Sequence, residues 1–185
     1  MAFPNVMPAG PKAKLDVSTF PRDEKRMAMP LPALDTAGIL FARHDRVMAL
    51  DLGTKTIGIA VSDAERQWAS GLKTLKRGKF TVDAAEIRKI ATHYSVAAIV
   101  LGLPLNMDGT MGPRAQATRA FARHLAGFMA IPIVFEDERL TTEAAHETLQ
   151  AAGVAGRQRK ELIDSAAAEV ILQTALDRLK ARQGM

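Results

Sequence analysis

Residues 46–63, Arg-Val-Met-Ala-Leu-Asp-Leu-Gly-Thr-Lys-Thr-Ile-Gly-Ile-Ala-Val-Ser-Asp, constrain this chain more than any other stretch. Two short apolar runs, 47–50 and 57–61, flank a Gly-Thr-Lys-Thr turn, the pattern of a β-hairpin. Side chains alternate along a strand, so Val47, Ala49 and Asp51 share one face. A carboxylate therefore stands at the edge of an otherwise apolar surface. Holding a lone ionised carboxylate away from water costs several kcal/mol, roughly, unless a cation or hydrogen-bond donors compensate it. Gly53 places no side chain over the turn, which lets a phosphate or a metal approach the backbone. The plainer alternative is a strand-terminal Asp that caps the turn.

The chain has room for one domain and some additional tail at 185 residues. Six of its nine prolines fall within the first 32 residues, and apolar residues recur there with no period. Residues 1–45 read as a disordered extension, with a short helical piece near 36–42 that docks on the domain at 46–185. That extension carries +1 of the net charge of +5, so the basic excess belongs to the domain and suits a polyanionic partner. No apolar run is long enough to span a bilayer, and Met1 to Gly10 lack a cationic start followed by an apolar block. The expected location is the cytoplasm, with no membrane partner. The absence of Cys excludes disulfides, thiolate zinc sites and a Cys nucleophile together.

Beyond the hairpin, Gln67–Leu75 is expected as a third strand and Val82–Tyr94 as an amphipathic helix. Val96–Leu101 is a continuous apolar run, as in a strand covered on both sides. After a loop at 102–110, a helix starts near Pro113, a residue suited to a first helical turn, and runs to Phe128. Ile131–Phe135 forms the last strand, with Glu136 to Arg139 beyond it. A helix capped by Thr141 or Thr142, a basic loop at 153–159 and a final helix at 160–180 complete the chain. This order predicts an α/β fold: a mixed five-stranded sheet flanked by helices.

Two further acids stand at element ends. Glu138 follows the last strand, and Asp164 lies early in the final helix. The helical neighbours of Asp164 are Ala167, Ala168 and Ile171, so it borders the buried stripe, and the alanines around it let the helix backbone approach a sheet. Its alternative role is electrostatic, favouring the helix N-terminus. Oxygen donors on separate elements, with no spaced His or Cys set, suit Mg²⁺ or Mn²⁺. Asp137 is not separable from Glu138 on sequence grounds.

Four ordered blocks, Asp51–Asp63, Gly102–Thr110, Asp137–Thr142 and Ile163–Ala168, resemble the YqgF family, also called RuvX. The resemblance covers nearly all of 46–180. It implies an RNase H-like fold and metal-dependent phosphodiester cleavage by a pre-16S rRNA nuclease, with precursor 16S rRNA or the pre-30S particle as partner. It also implies that Asp51, Glu138 and Asp164 form the catalytic and metal-binding set. Two divalent ions bridged by Asp51 would then hold the scissile phosphate. Lys55, Arg114, Arg139 and Lys160 are the cations expected to hold flanking phosphates, helped by Asn106, Thr110 and the first amides of the helix at Pro113. Arg139 has a rival role, pairing with a nearby acid, and the 102–110 loop has the rival role of plain connection. Trp68 and Tyr94 are the only large polar aromatics, so base stacking is weakly signalled. Three other readings stay open: a branched-DNA nuclease, a non-catalytic nucleic-acid or ribosome-binding module, and an actin-like ATPase. The last needs a second phosphate loop that this chain lacks.

Overall fold

The computed structural model describes residues 33–140 and 157–184, with side chains described over 33–139 and 165–182. Five strands, β1 (Arg46–Leu52), β2 (Thr56–Ser62), β3 (Ala69–Lys76), β4 (Val96–Leu103) and β5 (Ile133–Asp137), form one sheet in the order β3-β2-β1-β4-β5. Pairing is antiparallel from β3 to β1 and parallel from β1 to β5, the mixed sheet that the order of elements predicts. Among the described residues three helices cover it: α1 (Phe80–His93), α2 (Pro113–Phe128) and α3 (Arg157–Gln183).

Strand alternation sorts the core into two halves. Met48, Leu50 and Leu52 of β1 join Ile57, Ile59 and Val61 of β2 against α1 and α2, which contribute Ile87, Ile90, Phe121 and Leu125. The opposite face of the sheet is lined by smaller residues, Val47, Ala49, Ala60, Ala98 and Val100, and receives α3 through Ala168, Ile171, Leu172, Ala175 and Leu176. Small residues on both sides permit a close approach. The Ser165 carbonyl oxygen lies 3.1 Å from where a Cβ on Gly71 of β3 would sit. The long helix therefore crosses β1, β2 and β3 directly, and its N-terminal part runs toward the sheet end that carries Asp51.

Several boundaries shift. The strand expected at 131–135 is β5 at 133–137, because Glu136 and Asp137 continue the ladder opposite Gly102 and Leu103. Helix α1 begins two residues early at Phe80, whose ring packs edge-on against Phe121 and Phe128. The final helix starts at Arg157, so the end of the expected basic loop is helical. The helix expected from Thr141 or Thr142 to Gly153 lies outside the described residues.

The expected domain start at residue 46 is also too late. Residues 33–37 make a single turn, and Leu34 is 2% exposed within the α3-side core, with Ala37, Ile39 and Phe41 packed beside it. Asp35 lies 3.7 Å from Arg182 of α3. The docking segment is thus one turn and an extended run in place of a helical piece at 36–42. Residues 1–32 lie outside the described residues. Leu34→Ala is expected to lower unfolding free energy by about 2–4 kcal/mol, as for other fully buried leucines. Urea denaturation checks this, and a change below about 1 kcal/mol would mean that the segment contributes little to the fold.

Candidate active site

Asp51 lies in the last turn of the β1 alternation, on the face that receives α3. Its ladder partner on β2 is Gly58. On the other side, Leu50 pairs with Leu101, so the next residue of β4, Gly102, stands beside Asp51. Glycine on both flanks leaves the space above the carboxylate clear of side chains. Glu138 occupies that space. It belongs to a short 3₁₀ turn at Glu138–Leu140 that carries the chain off the end of β5. A Cβ on Gly102 would sit 3.0 Å from Glu138 Cδ and 2.6 Å from Ile171 Cδ1 of α3. The Glu138 carboxyl is therefore wedged between the β4 backbone and the helix.

This placement sets its chemistry. Burial, then the charge of Asp51, push the Glu138 pKa up to about 7, with Arg114 opposing and Asp137 adding to the rise. Asp51 and Glu138, 87 residues apart in sequence, thus come together as a coupled pair, and Arg114 in the first turn of α2 is close enough to act on it. Asp164 and Lys160 lie on α3, which crosses this face, but their side chains are outside the described residues. Among the described residues no group of three or more His, Cys, Asp and Glu forms a metal cage.

The other acids of this strand end are engaged elsewhere. Glu136 is 1% exposed and bonds to Arg178 of α3. Burial raises its pKa, and the hydrogen bond and charge of Arg178 oppose the rise. Asp137 is forked by Arg139, with Nη2 to Oδ2 at 2.6 Å and Nε to Oδ2 at 2.9 Å. Against a burial that would raise it, the hydrogen bonds and charge of Arg139 hold the Asp137 pKa down. Geometry therefore separates Asp137 from Glu138, as sequence alone did not.

Of the expected phosphate contacts, Lys55 is exposed in the β1–β2 turn and Arg114 is exposed beside the pair. Arg139 takes its rival role, bound to Asp137. Asn106 and Thr110 bond to each other, Nδ2 to Oγ1 at 2.8 Å, and Thr110 also donates to Asp108. They shape the loop that joins β4 to α2.

Two further features stand at this end of the sheet. One is Gly102 as a seat for Glu138, signalled only by a glycine that ends an apolar strand. The other is a cationic rim at the Asp51 end of the sheet. Lys76 pairs with Thr56, Arg77 donates to the Gly53 carbonyl at 2.8 Å, and Lys79 follows. That cluster was legible as the run Lys76-Arg77-Gly78-Lys79.

A carboxyl whose folded pKa exceeds its unfolded value holds its proton more tightly in the folded state. Its contribution to stability is whole below about 4.5 and is lost as pH rises through about 7. Without divalent cation, the protein is expected to lose on the order of 2 kcal/mol from this group between about pH 5 and about pH 8. Glu138→Gln should flatten that part of the curve. Thermal melts of both proteins across the range check it; parallel curves would mean that Glu138 titrates normally.

Residues 45–178 match the RuvX family, described as Holliday junction resolvase. A Rhodobacter capsulatus protein named "Putative pre-16S rRNA nuclease" is 49% identical over 151 residues, covering 82% of this chain and 95% of that protein. A Cereibacter sphaeroides protein of the same name is 53% identical over 137 residues, covering 74% of this chain and 86% of that protein. Among solved structures, T. thermophilus RuvC in complex with Holliday junction substrate aligns at a TM-score of 0.50 with 15% identity, over 77% of this chain and 98% of that one. That last likeness is one of fold alone: the mixed sheet and its helices have the RNase H-like architecture. With more than two-thirds of its residues matched and relatives at half identity, the chain belongs to the RuvX family, whose enzyme class is the nuclease, a phosphodiester hydrolase.

Proposed function

We propose that this chain is a divalent-cation-dependent endonuclease acting on precursor 16S rRNA, with Asp51, Glu138 and Asp164 as its catalytic and cation-binding set. The observation that carries the reading is the paired carboxyls: Glu138 seats on the bare backbone of Gly102 beside Asp51, and its pKa is driven up to about 7. Like charges so placed repel, and a divalent cation would relieve the repulsion. An oxygen-only donor set suits Mg²⁺ or Mn²⁺ over softer metals. Asp51 and Glu138 would hold the ion, with Asp164 supplied by α3. When bound, such an ion neutralises phosphate oxygens and lowers the pKa of a coordinated water.

The protein's own groups do the rest. Arg114 directs positive charge at the pair, and Lys55, Lys76, Arg77 and Lys79 line the same sheet end, where they favour a polyanionic backbone. Arg139 orders the β4–α2 loop through Asp137 and contributes to binding indirectly. Lys160 is proposed to extend the cationic track along α3. The substrate comes from the names of the relatives, whose full length this chain nearly spans. No helix among the described residues is long and apolar enough to cross a membrane, and we place the enzyme in the cytoplasm with its RNA.

Incubating the purified protein with precursor 16S rRNA and Mg²⁺ or Mn²⁺ tests this, beside Asp51→Asn and Glu138→Gln. Each variant is expected to cut at least about 100-fold more slowly while still melting as a folded protein, the scale of losing a preorganised electrostatic group. Equal cleavage by wild type and Asp51→Asn would place the activity outside this site. A four-way DNA junction run in parallel decides whether RNA or branched DNA is preferred.

A further inference from the structure

The loop between β4 and α2 carries a side chain that the fold leaves unused. Met107 is 87% exposed. Loop tips are ordinarily polar, and where apolar they are ordinarily mobile. This one is built to hold still. Asn106 N–H donates to the Thr110 carbonyl at 2.9 Å, and Gly109 N–H donates to the Asn106 carbonyl at 2.8 Å. The Asn106 side chain bonds to Thr110 and packs 3.0 Å from where a Cβ on Gly112 would lie. Asp108 takes both the amide and the hydroxyl of Thr110, at 2.9 and 2.6 Å. Gly109 adopts φ +82°, and Arg139 Nη1 fills the space beside it. The same nitrogen reaches the Met107 carbonyl at 3.4 Å while the guanidinium forks Asp137.

Both feet of this loop stand at the carboxylate pair. It leaves β4 just after Gly102, on which Glu138 rests, and it enters α2 at Arg114, whose charge acts on Glu138. Five residues of extended chain reach at most about 18 Å, so Met107 cannot lie farther than that from Gly102. A strand laid across the pair thus passes within a few nucleotides of an apolar side chain on a hydrogen-bonded loop. The large aromatics do not serve this end. Trp68 precedes β3 at the opposite edge of the sheet and lies under Lys180 at 5.5 Å, and Tyr94 packs on His93.

We infer that Met107 is a substrate-positioning residue whose thioether packs against a nucleobase of the strand being cut, unstacking it from its neighbour. The inference rests on the nuclease reading above. An unbranched, polarisable side chain is well suited to a flat π-face, and Met is among the apolar wedges that proteins insert between base steps. The contact is independent of base identity, so it orients the strand without selecting a sequence.

The test uses RNA oligonucleotides that span the cut site mapped for the wild type, each with 2-aminopurine at one position. If the wild type cuts only a four-way DNA junction, the probe is placed along the junction arms instead. Binding is read in Mg²⁺ with Asp51→Asn, which leaves the strand intact. One probe position is expected to brighten on binding, to stay dark with Met107→Ala added, and to brighten again with Met107→Leu. The Ala variant should bind about tenfold more weakly, with an unchanged melting temperature because the side chain is exposed. Equal affinity and equal emission for the Met and Ala proteins would overturn the inference and leave the nuclease reading standing. A wild type that cuts neither nucleic acid would overturn both.

Discussion

The confinement of Asp51 and Glu138 to one small, buried surface is the constraint around which the site is arranged. Isolated carboxylates separate into water; here the sheet and α3 hold them together, and burial, then the charge of Asp51, push the Glu138 pKa up to about 7. Each surrounding feature follows from that confinement. Glycines flank Asp51 on both neighbouring strands, since any Cβ at 102 would displace the second carboxyl. Ile171 closes the pocket from the helix side. The site is thus a crowded arrangement in which burial and a second carboxylate act on Glu138 together.

The three consecutive acids of the β5 end show how a fold assigns different chemistry to identical groups. Glu136 faces α3 and is bonded to Arg178. Asp137 faces the opposite way and is forked by Arg139. Glu138, carried round by the 3₁₀ turn, goes to Asp51. Strand alternation separates the first two, and the turn redirects the third. The Arg139–Asp137 fork then reaches the β4–α2 loop, so the pair that holds Asp137 apart from Asp51 and Glu138 also fixes the loop beside it.

Much of this was legible beforehand. The hairpin with Asp51 at its edge, the doubly covered β4 and the Pro113 start of α2 rest on local pattern, and local pattern decides them. The thin alanine face of the last helix correctly implied a close helix–sheet approach, seen at Gly71 and Ser165. Leu34 was hidden because a single turn and an extended run have no period, and the prolines around it read as a tail. The β5 boundary was misplaced because acids end apolar runs, although a parallel neighbour can extend a ladder through them. The role of Arg139 had two readings of equal chemical merit, and only proximity to Asp137 selects one.

The sequence by itself determined the alternation of strands and helices, the absence of thiol chemistry, the sign of the charge and the presence of carboxylates at element ends. These are properties of composition and short-range order, which the chain carries whether folded or not. Tertiary structure alone decided which acids meet, which arginines they meet, and that a glycine at the end of β4 seats one carboxyl beside another. Those outcomes depend on the register of β1 against β4 and on the path of α3. Both are set by packing among residues far apart in the chain.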